Sequence, residues 1–190
     1  QVVDAVAEYP DIDLIAVLIG LPPDDVASIE NTIADFTARY APTIDHYQIG
    51  DQPNIQHGWV DRQPDAEQYV QVLRVAYDTI HALDPEAVII AAELAAVPQS
   101  ADEQLSDVAF LADLYRFGLT EISDAVATQA YGFAIGPYDR QVDADILNFS
   151  RIIALREVMT SNSDDSTPLW LTSWGWTTTE TAEWHSVDEL

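Results

Sequence analysis

Cysteine and lysine are both absent from this 190-residue chain. Without cysteine there is no disulfide, no thiolate nucleophile and no Cys-based metal site, and the redox compartment stays open. Without lysine, seven arginines stand against 33 acidic residues, 22 of them aspartate, for a formal charge of -26. Such a surface repels phosphate backbones, which argues against nucleic acid and anionic membranes as partners. No apolar run reaches the roughly 18 residues that cross a bilayer. No glycine-rich phosphate loop follows any predicted strand, which weakens a doubly wound nucleotide-binding sheet. No two histidines stand at helical ligand spacing beside a carboxylate, and no EF-hand-like spacing occurs, so neither metal nor cofactor is expected.

What is present is an ordinary apolar fraction of 48%, enough for one substantial core and a single domain over residues 1–190. The acids are scattered rather than run together, the pattern of a solubility device in a salt-adapted or secreted protein. The chain opens inside a helical pattern (Val2, Val3, Val6), so it reads as part of a longer polypeptide.

Periodicity then alternates. Asp13 to Leu21 is a continuous apolar run, the pattern of a parallel strand buried on both faces. Val26, Ile29, Ile33, Phe36 and Tyr40 mark a helix, with Asp24-Asp25 at its start. Ile44 to Asp51 is a second strand, with His46, Gln48, Gly50 and Gln52 on one face and Tyr47 and Ile49 on the other. A helix follows from about Asp65 to Leu83, and a strand from Ala87 to Val97. Leu105, Val108, Ala112 and Tyr115 mark a third helix, stopped by Gly118. Ile122 to Tyr131 is a fourth strand, Gly132 to Asp139 a loop, Asp145 to Thr160 a helix, and Pro168 to Trp176 a fifth strand. Strand and helix in alternation mean crossover units and a parallel sheet. Polar and aromatic residues at several strand ends favour a (β/α)8 barrel, of which about 250 residues and three more strands would be needed.

Two segments carry a resemblance. The first reads Gln48-Ile49-Gly50-Asp51-Gln52-Pro53-Asn54, the second Trp170-Leu171-Thr172-Ser173-Trp174-Gly175-Trp176. Between them stand Asp84 to Ala91, Phe110 to Gly118 and Asp124 to Ala127. In this order they resemble the clan A glycoside hydrolases, the retaining (β/α)8 enzymes that include cellulase-like and xylosidase-like families. In those, strand 4 ends in a form E-x-W-N-E-P-N, whose second Glu is the acid/base. Strand 7 ends in a form W-x-T-E-x-G-W, whose Glu is the nucleophile. The resemblance covers about residues 13 to 176 and implies an α/β fold, a partial (β/α)8 TIM barrel of about strands 3 to 7.

The departures fall on the acting residues. Retaining hydrolysis needs two carboxyl groups about 5 to 5.5 Å apart. Gln52 stands at the acid/base position, and an amide moves no proton near neutral pH. Ser173 stands at the nucleophile position, with no histidine nearby to activate it. His46 shares its strand face but would lie roughly 20 Å below Gln52 at 3.3 Å per residue, which suits a hydrogen-bonded core histidine. Asp51 replaces an Asn and Gln129 a His of the family pattern. Asp51, Glu93 and Glu180 are the carboxylates placed to take over the chemistry, Asp51 being one residue out of phase with Gln52.

The resemblance therefore implies a catalytically silent barrel in which both glutamates are replaced. Asp51, Asn54, Trp59, Glu93, Gln129, Tyr131, Trp174 and Trp176 are its candidate carbohydrate-binding residues. Trp170 reads as packing, and the Asn148-Phe149-Ser150 sequon, placed inside a helix, as chance. Carbohydrate, or other parts of the same or an associated extracellular or cell-surface protein, is the expected partner. Hydrolysis by displaced carboxylates and a purely structural, protein-interaction role are the alternatives.

Overall fold

Helices alternate with short strands through the described residues. The computed structural model describes residues 2–6, 9, 11–21, 23–56, 59, 63–99, 105–133 and 135–176. After a short helix α1 (Val2–Val6) come β1 (Ile15–Leu18), α2 (Val26–Tyr40), β2 (His46–Asp51), α3 (Ala66–Leu83), β3 (Val88–Leu94) and α4 (Asp107–Arg116). Then follow β4 (Ala125–Tyr131), α5 (Ile152–Ser161) and β5 (Leu169–Gly175). All neighbouring strands pair in parallel, in the spatial order β1-β2-β3-β4-β5. The result is a half-barrel of five parallel strands with helices between them, the partial (β/α)8 architecture expected.

Helices α2 and α3 begin where side-chain oxygens meet orphan amides. Asp25 accepts from Ser28 N (3.0 Å) at the start of α2. Asp65 accepts from Gln68 N (3.0 Å) and from its Nε2 (3.1 Å) at the start of α3, so both its carboxylate oxygens are used by one residue. The apolar stripes of α2 to α5 pack on the convex side of the sheet. Ile29, Ile33, Leu73, Ile80, Phe110, Leu114, Leu155 and Met159 meet Tyr47, Ile49, Ile89 and Val126 there.

Three expectations are corrected. The first strand is shorter than Asp13 to Leu21 and is not buried on both faces. Ala16 and Leu18 pack on the helices, while Ile15 and Val17 are 40% and 48% exposed on the concave side. Five strands curve only part of the way round, so among the described residues nothing lies opposite β1 to cover that side. The helix expected from Asp145 is instead loop and a 3-10 turn (Phe149–Arg151) that runs into α5. Asn148 therefore precedes this turn, and with Ser150 it is buried, so the sequon is inaccessible in the folded chain. The regular alternation of β2 also fails at Gly50, with consequences for the site.

Candidate active site on the concave face

Gly50 has φ +83°, a left-handed conformation, and a Cβ there would point at the Tyr69 ring on α3 and at Ala92. It thus faces the helix side, next to Ile49, rather than the inner face with Gln48. In β3 an extra residue intervenes between Ala91 and Leu94 relative to β4, and both Ala91 and Ala92 belong to the helix-side core. The Tyr69 hydroxyl fills the break. It donates to Ile49 O (2.9 Å) and accepts from Ala92 N (2.6 Å), so the phenol replaces a ladder bond that the bulged strands do not make.

These two irregularities turn the ends of β2 and β3 over. Asp51 pairs with Glu93 across the ladder and leaves the sheet on the same side as it. Gln52 lies beyond the strand with φ +49°, an uncommon conformation for a side-chain-bearing residue, and its amide donates to Glu93 O (2.9 Å). Strand parity therefore does not extend to Gln52.

Glu93 is 5% exposed and reaches across the concave face. Thr172 Oγ1 on β5 donates to its Oε1 at 3.0 Å, and Gln129 Nε2 on β4 makes a long contact to its Oε2 at 3.4 Å. Thr172 comes inward because β5 carries an extra residue between the partners of Thr128 and Gln129. Ser173 pairs with Gln129 beside it. Glu93, Gln129, Thr172 and Ser173 thus gather at the ends of three neighbouring strands, the barrel position where catalytic groups are mounted. Below them lies a cavity of about 460 Å³ lined by Ile15, Val17, Gln48, Trp170, Leu171 and Thr172. That volume falls within the roughly 300–1,000 Å³ of small-molecule sites.

The other candidates sit elsewhere. Asn54 is fully buried, and its amide is taken up by backbone, Nδ2 donating to Ala95 O (2.8 Å) and Leu105 O (2.9 Å) and Oδ1 accepting from Ala95 N (2.9 Å). Trp59 donates from Nε1 to Pro53 O (2.7 Å) and closes the same turn. Trp176 lies over Gly132, where any Cβ would run into the indole, stacks near Phe149 (5.3 Å) and donates to Ile135 O (3.1 Å). Tyr131 faces Phe133 edge-on at 6.2 Å. Trp174 pairs with Ala130, on the opposite face from Ser173, and is 65% exposed. Glu180, His57 and His185 lie outside the described residues. Among the described residues no three His, Asp or Glu side chains converge as a metal site would require.

The loops above the site are tied by a pair that sequence reasoning missed. Arg151 and Asp107, 3% and 1% exposed, make a two-pronged ion pair with a shortest contact of 2.6 Å. The same guanidinium donates to Val97 O (2.7 Å) and Ala144 O (2.7 Å), clamping the loop after β3 to the loop after β4. An aspartate opening a helix is so common that nothing in the sequence singled this one out.

The half-barrel matches solved structures of glycoside hydrolases. A glucosidase from Croceicoccus marinus superposes with a TM-score of 0.65 at 17% identity, over 92% of this chain and 37% of that one. A β-glucosidase from Thermotoga maritima in complex with deoxynojirimycin gives 0.58 at 8% identity, over 98% and 60%. A family 39 glycoside hydrolase from the gut symbiont Bacteroides cellulosilyticus gives 0.55 at 17% identity, over 93% and 35%. The fold is that of a glycoside hydrolase barrel. No family model and no curated protein matches the sequence. Identities this low carry the fold and no residue's role, and the chain spans between about a third and three-fifths of these neighbours' length.

Proposed function

We propose that this chain is a glycoside hydrolase-like barrel domain that binds carbohydrate on its concave face without hydrolysing it. The observation that carries the reading is the strand-end cluster of Glu93, Gln129 and Thr172 above an apolar-walled cavity of about 460 Å³. A sugar ring offers apolar C–H faces and a rim of hydroxyls. Ile15, Val17 and Trp170 present surface to the first, and a carboxylate, an amide and a hydroxyl present partners to the second. The same cluster supplies one carboxylate, where retaining chemistry needs two acting on one bond. Gln52 and Ser173, at the positions the family resemblance gives to the acid/base and nucleophile, bring an amide and an unactivated hydroxyl. The acidic, cysteine-free composition suits a domain acting outside the cell or at its surface, as part of a longer protein whose further strands would cover Ile15 and Val17.

Isothermal calorimetry against a panel of neutral gluco- and xylo-oligosaccharides tests binding, and heat of association is the expected result. Absence of heat with every sugar removes the reading. Aryl glycosides are expected to stay intact. Sustained turnover that Glu93→Gln abolishes would instead favour hydrolysis by displaced acids, for which the alignment of Asp51 with Glu93 is the supporting observation.

A further inference from the structure

Glu93 is a buried carboxylate whose two side-chain partners are both neutral. Burying a charge is costly unless it is paired as well as hydrogen-bonded. The chain has no lysine to offer, and the six arginines among the described residues are engaged elsewhere. Arg151 is taken by Asp107, Arg116 by Asp113, and Arg74 stands against Glu121. Arg140 donates to the Pro137 and Asp139 carbonyls, Arg156 to Thr167 O, and Arg39 lies over Tyr40. Arg62 lies outside the described residues. His46 bonds Asp45, at the opposite end of the strands. Among the described residues no cation faces Glu93.

We propose that Glu93 receives a protonated amine of the bound sugar, so that the site takes an unacetylated amino sugar in preference to its neutral counterpart. This rests on the carbohydrate-binding reading and deepens it. An ammonium group at Glu93 would supply the missing positive charge through a charge-assisted hydrogen bond, stronger than a neutral one. Thr172 and Gln129 would hold the carboxylate in place for it. A bare metal ion is the poorer fit, because no group of three His, Asp or Glu side chains converges among the described residues. The net charge of -26 raises the local concentration of any cationic ligand, which makes a control for diffuse attraction necessary.

The test is calorimetric titration of the protein with the β-1,4-linked glucosamine disaccharide, its N-acetylated form and cellobiose, at 0.15 M and 0.5 M NaCl. The amine-bearing sugar is expected to bind about tenfold tighter than cellobiose at both salt concentrations. Glu93→Gln should erase that preference. Asp78→Asn, on the exposed face of α3, should keep it. Circular dichroism on each variant checks folding. If Glu93→Gln does not fold, loss of the preference on N-acetylation in the parent protein stands in its place. Cellobiose and the amino sugar binding equally would overturn the inference and leave carbohydrate binding intact. A preference that survives Glu93→Gln or disappears in 0.5 M salt would assign the attraction to the general acidic surface and overturn it too. No heat with any of the three sugars removes carbohydrate binding and the amine preference together.

Discussion

The Trp170 indole and the His46 imidazole lie 5.6 Å apart, centroid to centroid, although β3 and β4 stand between their strands. On a flat sheet three strand spacings would separate their backbones by roughly 14 Å. Curvature and the small side chains beneath close the gap. Trp170 packs over Ala125, Ala127 and Ile90, and the two alanines leave room for an indole laid along the sheet. The residue is therefore a wall of the cavity and a brace of the half-barrel at once.

Trp170→Ala is expected to destabilise the fold by about 3 kcal/mol, the low end of large aromatic deletions because the indole is half-buried. The midpoint of urea unfolding should fall with its slope unchanged. Ala127→Leu should also destabilise the fold, by forcing the indole off the sheet. If neither variant shifts the midpoint, the indole does not brace the concave face.

The order of elements was legible because each helix and strand carried its own period. So was the inward parity of His46 and Gln48, which pair with Val88 and Ile90 on the concave side. Legibility ended at Gly50 and Ala92, where the bulges reversed the alternation and brought Glu93 onto the inner face. Period-two reasoning cannot register an inserted residue in a strand, and a glycine offers no side chain to betray its direction. Thr172 stayed unread because the family pattern points to Ser173, and the one-residue shift in β5 that turns Thr172 inward leaves no mark in the sequence. Arg151 was invisible for another: arginine is so rarely buried that its burial is known only once Asp107 is seen beside it.

The Arg151–Asp107 pair predicts an asymmetry between single and double substitutions. Arg151→Met leaves a buried carboxylate without its cation and is expected to cost about 3–5 kcal/mol, and Asp107→Leu a similar amount. The double variant should recover a large part of that loss, since it leaves no unpaired buried charge. Chemical denaturation of the four proteins in a double-mutant cycle measures the coupling. Additive losses would mean the two side chains act independently, contrary to their 2.6 Å contact.

Three buried tyrosines set an alkaline limit. Burial, reinforced by the charges of Asp84 and Asp45, pushes the Tyr47 phenol up to about 12. Burial also raises Tyr69, outweighing its bond from the Ala92 amide, and raises Tyr115, there helped by its hydrogen bond to Asp164 and that carboxylate's charge. An unfolded phenol titrates near 10. Above that pH the unfolded chain loses these protons first, so the stability they confer is intact below about 10 and drains away as pH climbs toward and past 12. Unfolding free energy should therefore drop steeply between pH 10 and 11.5, and less steeply in Tyr69→Phe. That variant itself should cost about 1–3 kcal/mol at pH 7, from the unpaired Ile49 carbonyl and Ala92 amide. A flat profile across the window would mean that these phenols ionise freely in the folded protein.

The acidic surface predicts the response to salt, and the form of the response identifies its cause. With 33 acids against seven arginines, exposed carboxylates repel one another across the folded surface more than in the expanded chain. Screening lengths fall from about 30 Å at 0.01 M to about 10 Å at 0.1 M and 3 Å at 1 M, so most of the repulsion is removed in the first few tenths molar. The Arg151–Asp107 pair is buried and should be screened much less, so little attraction is lost in exchange. The melting temperature is therefore expected to rise with NaCl and to level off by about 0.5 M. Sulfate acts differently, strengthening apolar burial through its exclusion from the surface, and should go on raising the melting temperature beyond that point. Differential scanning calorimetry in the two salts at matched ionic strength separates the effects. A melting temperature that falls as NaCl is added would show that the surface carboxylates are not the dominant repulsion in the folded state.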